Sequence, residues 1–284
     1  MSFLRSILSK IAKTILRYCQ PCQFVRVEVS QVSYGNILKG KNIVVTGGGR
    51  GIGFYMAKKF ISEGAEVIIS GRNKETLINA QKELGQSCKY IVFDVTETSR
   101  ADDFIAECRS KFGSEINSLV CNAGISHHEH SILDVTEDGF DSQFNTNLRG
   151  CYFLCKSFIK EKIEESSRDS DILIISSETA DMGYDIPYGM TKAGLNTLTR
   201  ALSRRFYQKG IRINAVAPGV TLSDMTKYAQ REDGNMARNC AAGRVFKPEE
   251  VAEVACFLLS DASKCISGEV IHTNAGNHIR AFWD

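Results

Sequence analysis

The chain has 284 residues, 43% hydrophobic and 24% charged, a composition that allows one large α/β domain or two small ones. Its net charge of +2 is uneven: Arg5, Lys10, Lys13, Arg17 and Arg26 all precede the first acid, Glu28, leaving 30 basic against 33 acidic residues in the body. A slightly acidic body argues against a nucleic-acid binder, and without a run of about 18 apolar residues no membrane-spanning helix is expected.

The first 37 residues are expected to form an amphipathic helix and an extended arm. Phe3, Leu4, Ile7, Leu8, Ile11 and Ile15 recur on one helical face, with Arg5, Lys10, Lys13 and Arg17 opposite. Such a basic helix can lie on an anionic membrane, dock on its own subunit or a partner, or serve as an organelle transit peptide. The cations favour peripheral membrane attachment slightly. Val25, Val27 and Val29 alternate with polar residues as in a half-buried strand. The ten cysteines show no metal-like pairing apart from Cys19-Gln20-Pro21-Cys22, which lacks a second pair, so no metal is expected. Many free thiols point to a reducing compartment, the cytoplasm.

A catalytic domain is expected over 38–284. The apolar run Ile43-Val44-Val45 enters Thr46-Gly47-Gly48-Gly49-Arg50-Gly51-Ile52-Gly53, and a helical pattern follows from Phe54. Strand, glycine turn and helix in that order let the backbone approach a pyrophosphate at a positive helix N-terminus. Strands are expected at 66–70, 89–93, 118–121, 171–175, 211–216 and 268–272, and helices at 74–84, 99–112, 140–165, 188–209 and 248–259. Alternation of this kind predicts a Rossmann-like, doubly wound α/β fold: a mainly parallel seven-stranded sheet with helices on both faces. Residues 222–243 are polar with two short apolar patches, as in a lid.

Tyr188 and Lys192 stand one helical turn apart, after the strand that ends in Ser176-Ser177. A nearby ammonium favours the phenolate and should lower a tyrosine pKa from its ordinary ~10. Alternation along the strand sends the two serines to opposite sides. The motifs Gly47-x-x-x-Gly51-x-Gly53, Asp94, Asn122-Ala123-Gly124, Asn147, Ser177, Tyr188-x-x-x-Lys192 and Pro218-Gly219, in this order, resemble the short-chain dehydrogenase/reductase family over residues 39–277.

The resemblance implies carbonyl–alcohol interconversion by hydride transfer, with Tyr188 as general acid/base and Ser177 orienting the substrate. It implies that Lys192 holds the nicotinamide ribose and tunes Tyr188, and that Asn147 supports a water in the proton relay. It places the cofactor against Gly47, Gly49, Arg50, Gly51, Ile52, Gly53, Arg72, Asp94, Val95, Asn122, Ala123, Gly124, Tyr188, Lys192, Pro218, Gly219 and Thr221. Asp94 would contact adenine, and Asn122 would steady the central strand. The segment between Ser177 and Tyr188 is slightly shorter than the family's.

Where NAD enzymes place an acid on the ribose, this chain has Ser70-Gly71-Arg72-Asn73-Lys74. Arg72, with Arg50, suits a 2′-phosphate, so NADP(H) is the expected cofactor. The substrate is a small carbonyl or alcohol, carrier-linked if the nearest resemblance, to 3-oxoacyl-carrier-protein reductases, holds; sugar, polyol or steroid dehydrogenases and a non-catalytic nucleotide-binding scaffold are the alternatives. His127-His128-Glu129-His130 reads as a polar surface that could steer an anionic substrate. The resemblance also implies a homodimer or homotetramer built on the helices near 140–165 and 188–209, with Tyr152, Phe153, Phe158 and Ile159 as apolar contacts.

Overall fold

The computed structural model describes residues 33–167, 169–226 and 240–279. The amphipathic helix at 2–18, the strand at 25–29, the Cys19/Cys22 pair and most of the lid expected at 222–243 lie outside the described residues.

Seven parallel strands form one sheet in the order β3-β2-β1-β4-β5-β6-β7. They are β1 (Asn42–Thr46), β2 (Glu66–Gly71), β3 (Cys88–Val92), β4 (Ser118–Cys121), β5 (Ser170–Ile175), β6 (Ile211–Pro218) and β7 (Val270–Thr273). The principal helices are α1 (Gly51–Ser62), α2 (Lys74–Leu84), α3 (Ala101–Phe112), α4 (Glu137–Gln143), α5 (Cys151–Glu164), α6 (Pro187–Phe206) and α7 (Pro248–Leu259). This is the doubly wound, Rossmann-like arrangement that the alternation predicts.

The two faces of the sheet have separate apolar layers. Ile43 and Val45 of β1 join Phe60, Ile69, Leu77, Val251 and Leu259 on one side. Val44 joins Ile68, Phe104, Leu119, Phe158, Ile172 and Ile213 on the other. Every residue of β5 and β6 is buried, as expected of strands covered on both faces.

Local chemistry sets the helix ends. Asn73 caps α2 by accepting from Thr76 N at 2.9 Å, and Gly113 ends α3 in the left-handed region at φ 77°. Pro187 and Pro248 open α6 and α7 at positions where a missing N–H costs nothing.

Two sequence expectations change. The single helix expected over 140–165 is three segments: α4, a π-helical stretch Phe144–Gly150, and α5. Periodicity does not reveal a change of pitch, and such stretches often occur at functional sites. Phe158 and Ile159, expected at a subunit contact, are 0% and 5% exposed, because α5 turns Leu154, Cys155, Phe158 and Ile159 onto the sheet. Tyr152, at 50%, remains on the surface. No helix among the described residues is long and apolar enough to cross a membrane.

Candidate active site

The strand order reverses between β1 and β4, so the connections that leave their carboxyl ends diverge and open a cleft. The cleft, of about 420 Å³, is lined from the glycine turn through β2, β4, β5 and α6 to Thr226.

At its floor, Gly47 and Gly51 adopt φ 65° and 54°, conformations that L side chains rarely take. Gly53 is needed for space: a Cβ there would lie 2.4 Å from Gly47 O and 2.5 Å from Asn122 Nδ2. Arg50, at the N-cap of α1, provides no side-chain cap, and no acid occupies the first turn. The first-turn N–H groups therefore face the cleft as an anion site. Asn122 Nδ2 donates to Thr46 O at 2.9 Å and Gly47 O at 3.1 Å. Thr46 Oγ1 accepts from Asn122 N and Ala123 N and donates to Val120 O. Asn122 thus locks the glycine turn to the end of β4.

At the far end of the cleft, Arg72 Nε lies 3.9 Å from Asp94 Oδ2, and Arg50 Nη1 lies 3.4 Å from Asp224 Oδ2. Both guanidinium groups are mostly exposed, 64% and 73%, so neither pair holds its arginine firmly. Asp94 Oδ1 accepts from Thr96 N and Thr96 Oγ1.

The centre of the cleft gathers Ser177, Tyr188 and Lys192. Ser177 Oγ accepts from Thr179 N at 3.2 Å and Thr179 Oγ1 at 3.0 Å. Ser176 instead donates to buried Asn196 Oδ1 and to Lys192 O, so its hydroxyl is committed to α6. Strand alternation separates the two serines as expected.

Lys192 Nζ donates to Ile175 O at 2.8 Å and sits 5.5 Å from the centroid of the Tyr188 ring. Burial lowers the Lys192 ammonium to about 8. Burial also pushes the Tyr188 phenol above its ordinary value, against the pull of its hydrogen bond with Ser177. The sequence expectation was the reverse. Desolvation is the dominant cause, and the Ser177 hydrogen bond is what opposes it.

Of the residues expected at the cofactor or the chemistry, Gly53 and Asn147 do not line the cleft; the others do. Gly53 is packed beneath the turn. Asn147, on the π-helical stretch, holds Ile125 and donates to Thr191 Oγ1. Sequence reading missed Asn73, Thr76, Leu77, Ile125 and Thr146, which also line it. The Asn73-x-x-Thr76 cap, immediately after Arg72, was the available signal.

The histidine loop borders a second cavity. His127 Nε2 pairs with Ser142 Oγ and His128 Nε2 with Met225 O. Glu129, Asp134 and Asp138 line the same cavity and offset any positive field from the histidines, which weakens the steering expectation.

Fold and cleft together define a dinucleotide-dependent oxidoreductase. A family model described as enoyl-(acyl carrier protein) reductase matches residues 47–278. The 3-oxoacyl-[acyl-carrier-protein] reductase FabG of Chlamydia trachomatis serovar D is 36% identical over 247 residues, covering 84% of this chain and 98% of that protein. The 3-ketoacyl-(acyl-carrier-protein) reductase from Brucella melitensis, solved in complex with NADH, matches with TM-score 0.77 at 29% identity, covering 85% of this chain and all of that one. A structure of a putative gluconate dehydrogenase from Agrobacterium tumefaciens matches with TM-score 0.79 at 27% identity, covering 88% and all, respectively. The chain belongs to the short-chain dehydrogenase/reductase family; it is an oxidoreductase that acts on CH–OH groups with a nicotinamide cofactor.

Proposed function

We propose that this enzyme is an NADP(H)-dependent ketoreductase whose substrate is a 3-oxoacyl thioester. The observation that carries the chemistry is the convergence of Ser177, Tyr188 and Lys192 in one cleft with the glycine turn. The 36% identity to a 3-oxoacyl-carrier-protein reductase supports the substrate class.

The residues present fit the cofactor. Gly47, Gly51 and the uncapped start of α1 would receive the pyrophosphate, and a side chain at Gly53 would collapse that turn. Arg72 and Arg50, loosely paired and without an acid on the ribose side, would take a 2′-phosphate. A bound nicotinamide supplies hydride to a carbonyl carbon or accepts it from an alcohol.

The chain's own residues handle the proton. Tyr188, kept protonated by burial, donates its phenolic proton to the carbonyl oxygen as negative charge develops there. Ser177 Oγ accepts from Thr179 and hydrogen-bonds the Tyr188 phenol, so a substrate oxygen would sit between the two hydroxyls. The Lys192 ammonium, beside the ring, stabilises the phenolate left after transfer. Asn147 positions the Ile125 backbone behind them. The reading includes a reducing, cytoplasmic address, because all eight described cysteines are free.

The test is NADPH oxidation against 3-oxoacyl thioesters, keto-sugars and steroid ketones, with Tyr188→Phe beside the unsubstituted enzyme. Thioester reduction should dominate, and Tyr188→Phe should bind NADPH while losing at least ~100-fold in turnover. Preferential turnover of a keto-sugar would reassign the substrate. Binding with no turnover of any carbonyl would instead indicate a nucleotide-binding scaffold.

A further inference from the structure

Three cysteines, one from β4 and two from α5, meet behind the cleft. Cys121 ends β4, directly before Asn122, while Cys151 and Cys155 stand on successive turns of α5. The sulfur of Cys155 lies 3.9 Å from that of Cys121 and 4.0 Å from that of Cys151, and all three lie within 4.8 Å of one another. None is more than 6% exposed, and they share the apolar layer with Leu154, Phe158 and Ile174. This is the only such convergence of three ligand-bearing side chains among the described residues.

We propose that Cys121, Cys151 and Cys155 form a trigonal binding site for a soft monovalent metal ion of the copper(I) type. An ion at the centre of a sulfur triangle with two sides of 3.9 and 4.0 Å and a third of at most 4.8 Å lies about 2.3–2.5 Å from each sulfur, close to an ordinary metal–thiolate length. The donor set selects the metal. Thiolates alone favour copper(I) over hard cations such as Mg²⁺ or Ca²⁺, which require oxygen. Structural zinc sites are almost always four-coordinate, and among the described residues no fourth His, Cys, Asp or Glu joins the trio. An apolar surround excludes the water that would otherwise complete a tetrahedron.

Binding forms three metal–sulfur bonds, releases the thiol protons to solvent and leaves the ion's oxidation state unchanged. A bound ion ties the end of β4 to α5, and so links the strand that carries Asn122 to the helix that continues from the Asn147 segment.

The test uses the full chain with Cys19→Ser and Cys22→Ser, so that the Cys19-x-x-Cys22 pair cannot compete. The reduced protein is titrated anaerobically with copper(I) against a chromophoric copper(I) chelator, and the loaded protein is examined by X-ray absorption. The expected result is one retained equivalent with three sulfur neighbours at about 2.3 Å. Retention should weaken in Cys155→Ser by more than the ~10-fold that outer-shell changes cost, whereas substitution of the exposed Cys265 by serine leaves it unchanged. No retained equivalent, fewer than three sulfur neighbours, or undiminished retention in Cys155→Ser overturns the proposal. If Cys155→Ser does not fold, the sulfur count in the protein with the intact trio decides alone.

Discussion

Asn147 grips both backbone polar groups of Ile125: Oδ1 accepts from Ile125 N at 2.8 Å and Nδ2 donates to Ile125 O at 2.9 Å. The Asn147 side chain is 1% exposed and does not reach the cleft, yet Ile125 lines it. The asparagine therefore works through the backbone of its neighbour. Asn147→Ala should cost about 1–3 kcal/mol of stability, because it strands a buried donor and acceptor pair. A chemical denaturation curve checks this; an unchanged midpoint would show that the Ile125 backbone finds other partners.

Lys192 sets a pH dependence for cofactor binding. Its ammonium titrates at about 8 because burial disfavours the charged form. An anionic cofactor stabilises that charge, so above pH 8 the complex holds a proton that the free protein has lost. Affinity for NADPH should therefore fall as pH rises through about 8 and level off below it. Fluorescence titrations from pH 6 to 9.5, compared with Lys192→Met, check the sign; the same inflection in the variant would assign it to another group.

Arg72 should set cofactor preference. Its contact with Asp94 is long and exposed, so little is lost when the guanidinium turns to a phosphate. A charge-assisted hydrogen bond contributes about 1.5–3 kcal/mol, so Arg72→Asp should weaken NADPH binding by roughly 10–100-fold. NADH binding should change far less. Parallel titrations with both nucleotides decide, and equal losses would rule out a 2′-phosphate contact.

Gly53 tests the glycine turn independently of chemistry. A methyl group there meets Gly47 O at 2.4 Å, a backbone atom that cannot move alone. Gly53→Ala should destabilise the fold by about 1–3 kcal/mol through overpacking and weaken both nucleotides together. Wild-type melting with normal NADPH binding would mean that the turn relaxes without cost.

Much of the fold is legible in local pattern. The bounds expected for Lys74–Leu84, Ser118–Cys121 and Pro248–Leu259 are those observed, because caps, breakers and apolar spacing act over a few residues. The cleft residues were legible for a related reason. Gly47, Asn122, Ser177 and Tyr188 each follow a strand end, and a parallel sheet brings strand ends to one edge.

Tertiary structure decided what depends on distance and dielectric. The π-helical stretch at Phe144–Gly150 leaves no mark in periodicity, and the surroundings of α5 turned Phe158 and Ile159 inward. Spacing placed Lys192 beside Tyr188, but burial determined that the phenol is raised and the ammonium lowered. Cys121 and Cys155, 34 residues apart, became neighbours because α5 packs against β4. Sequence specifies each segment through short-range sterics and periodicity, whereas charge states and cross-chain clusters follow from which surfaces exclude water together.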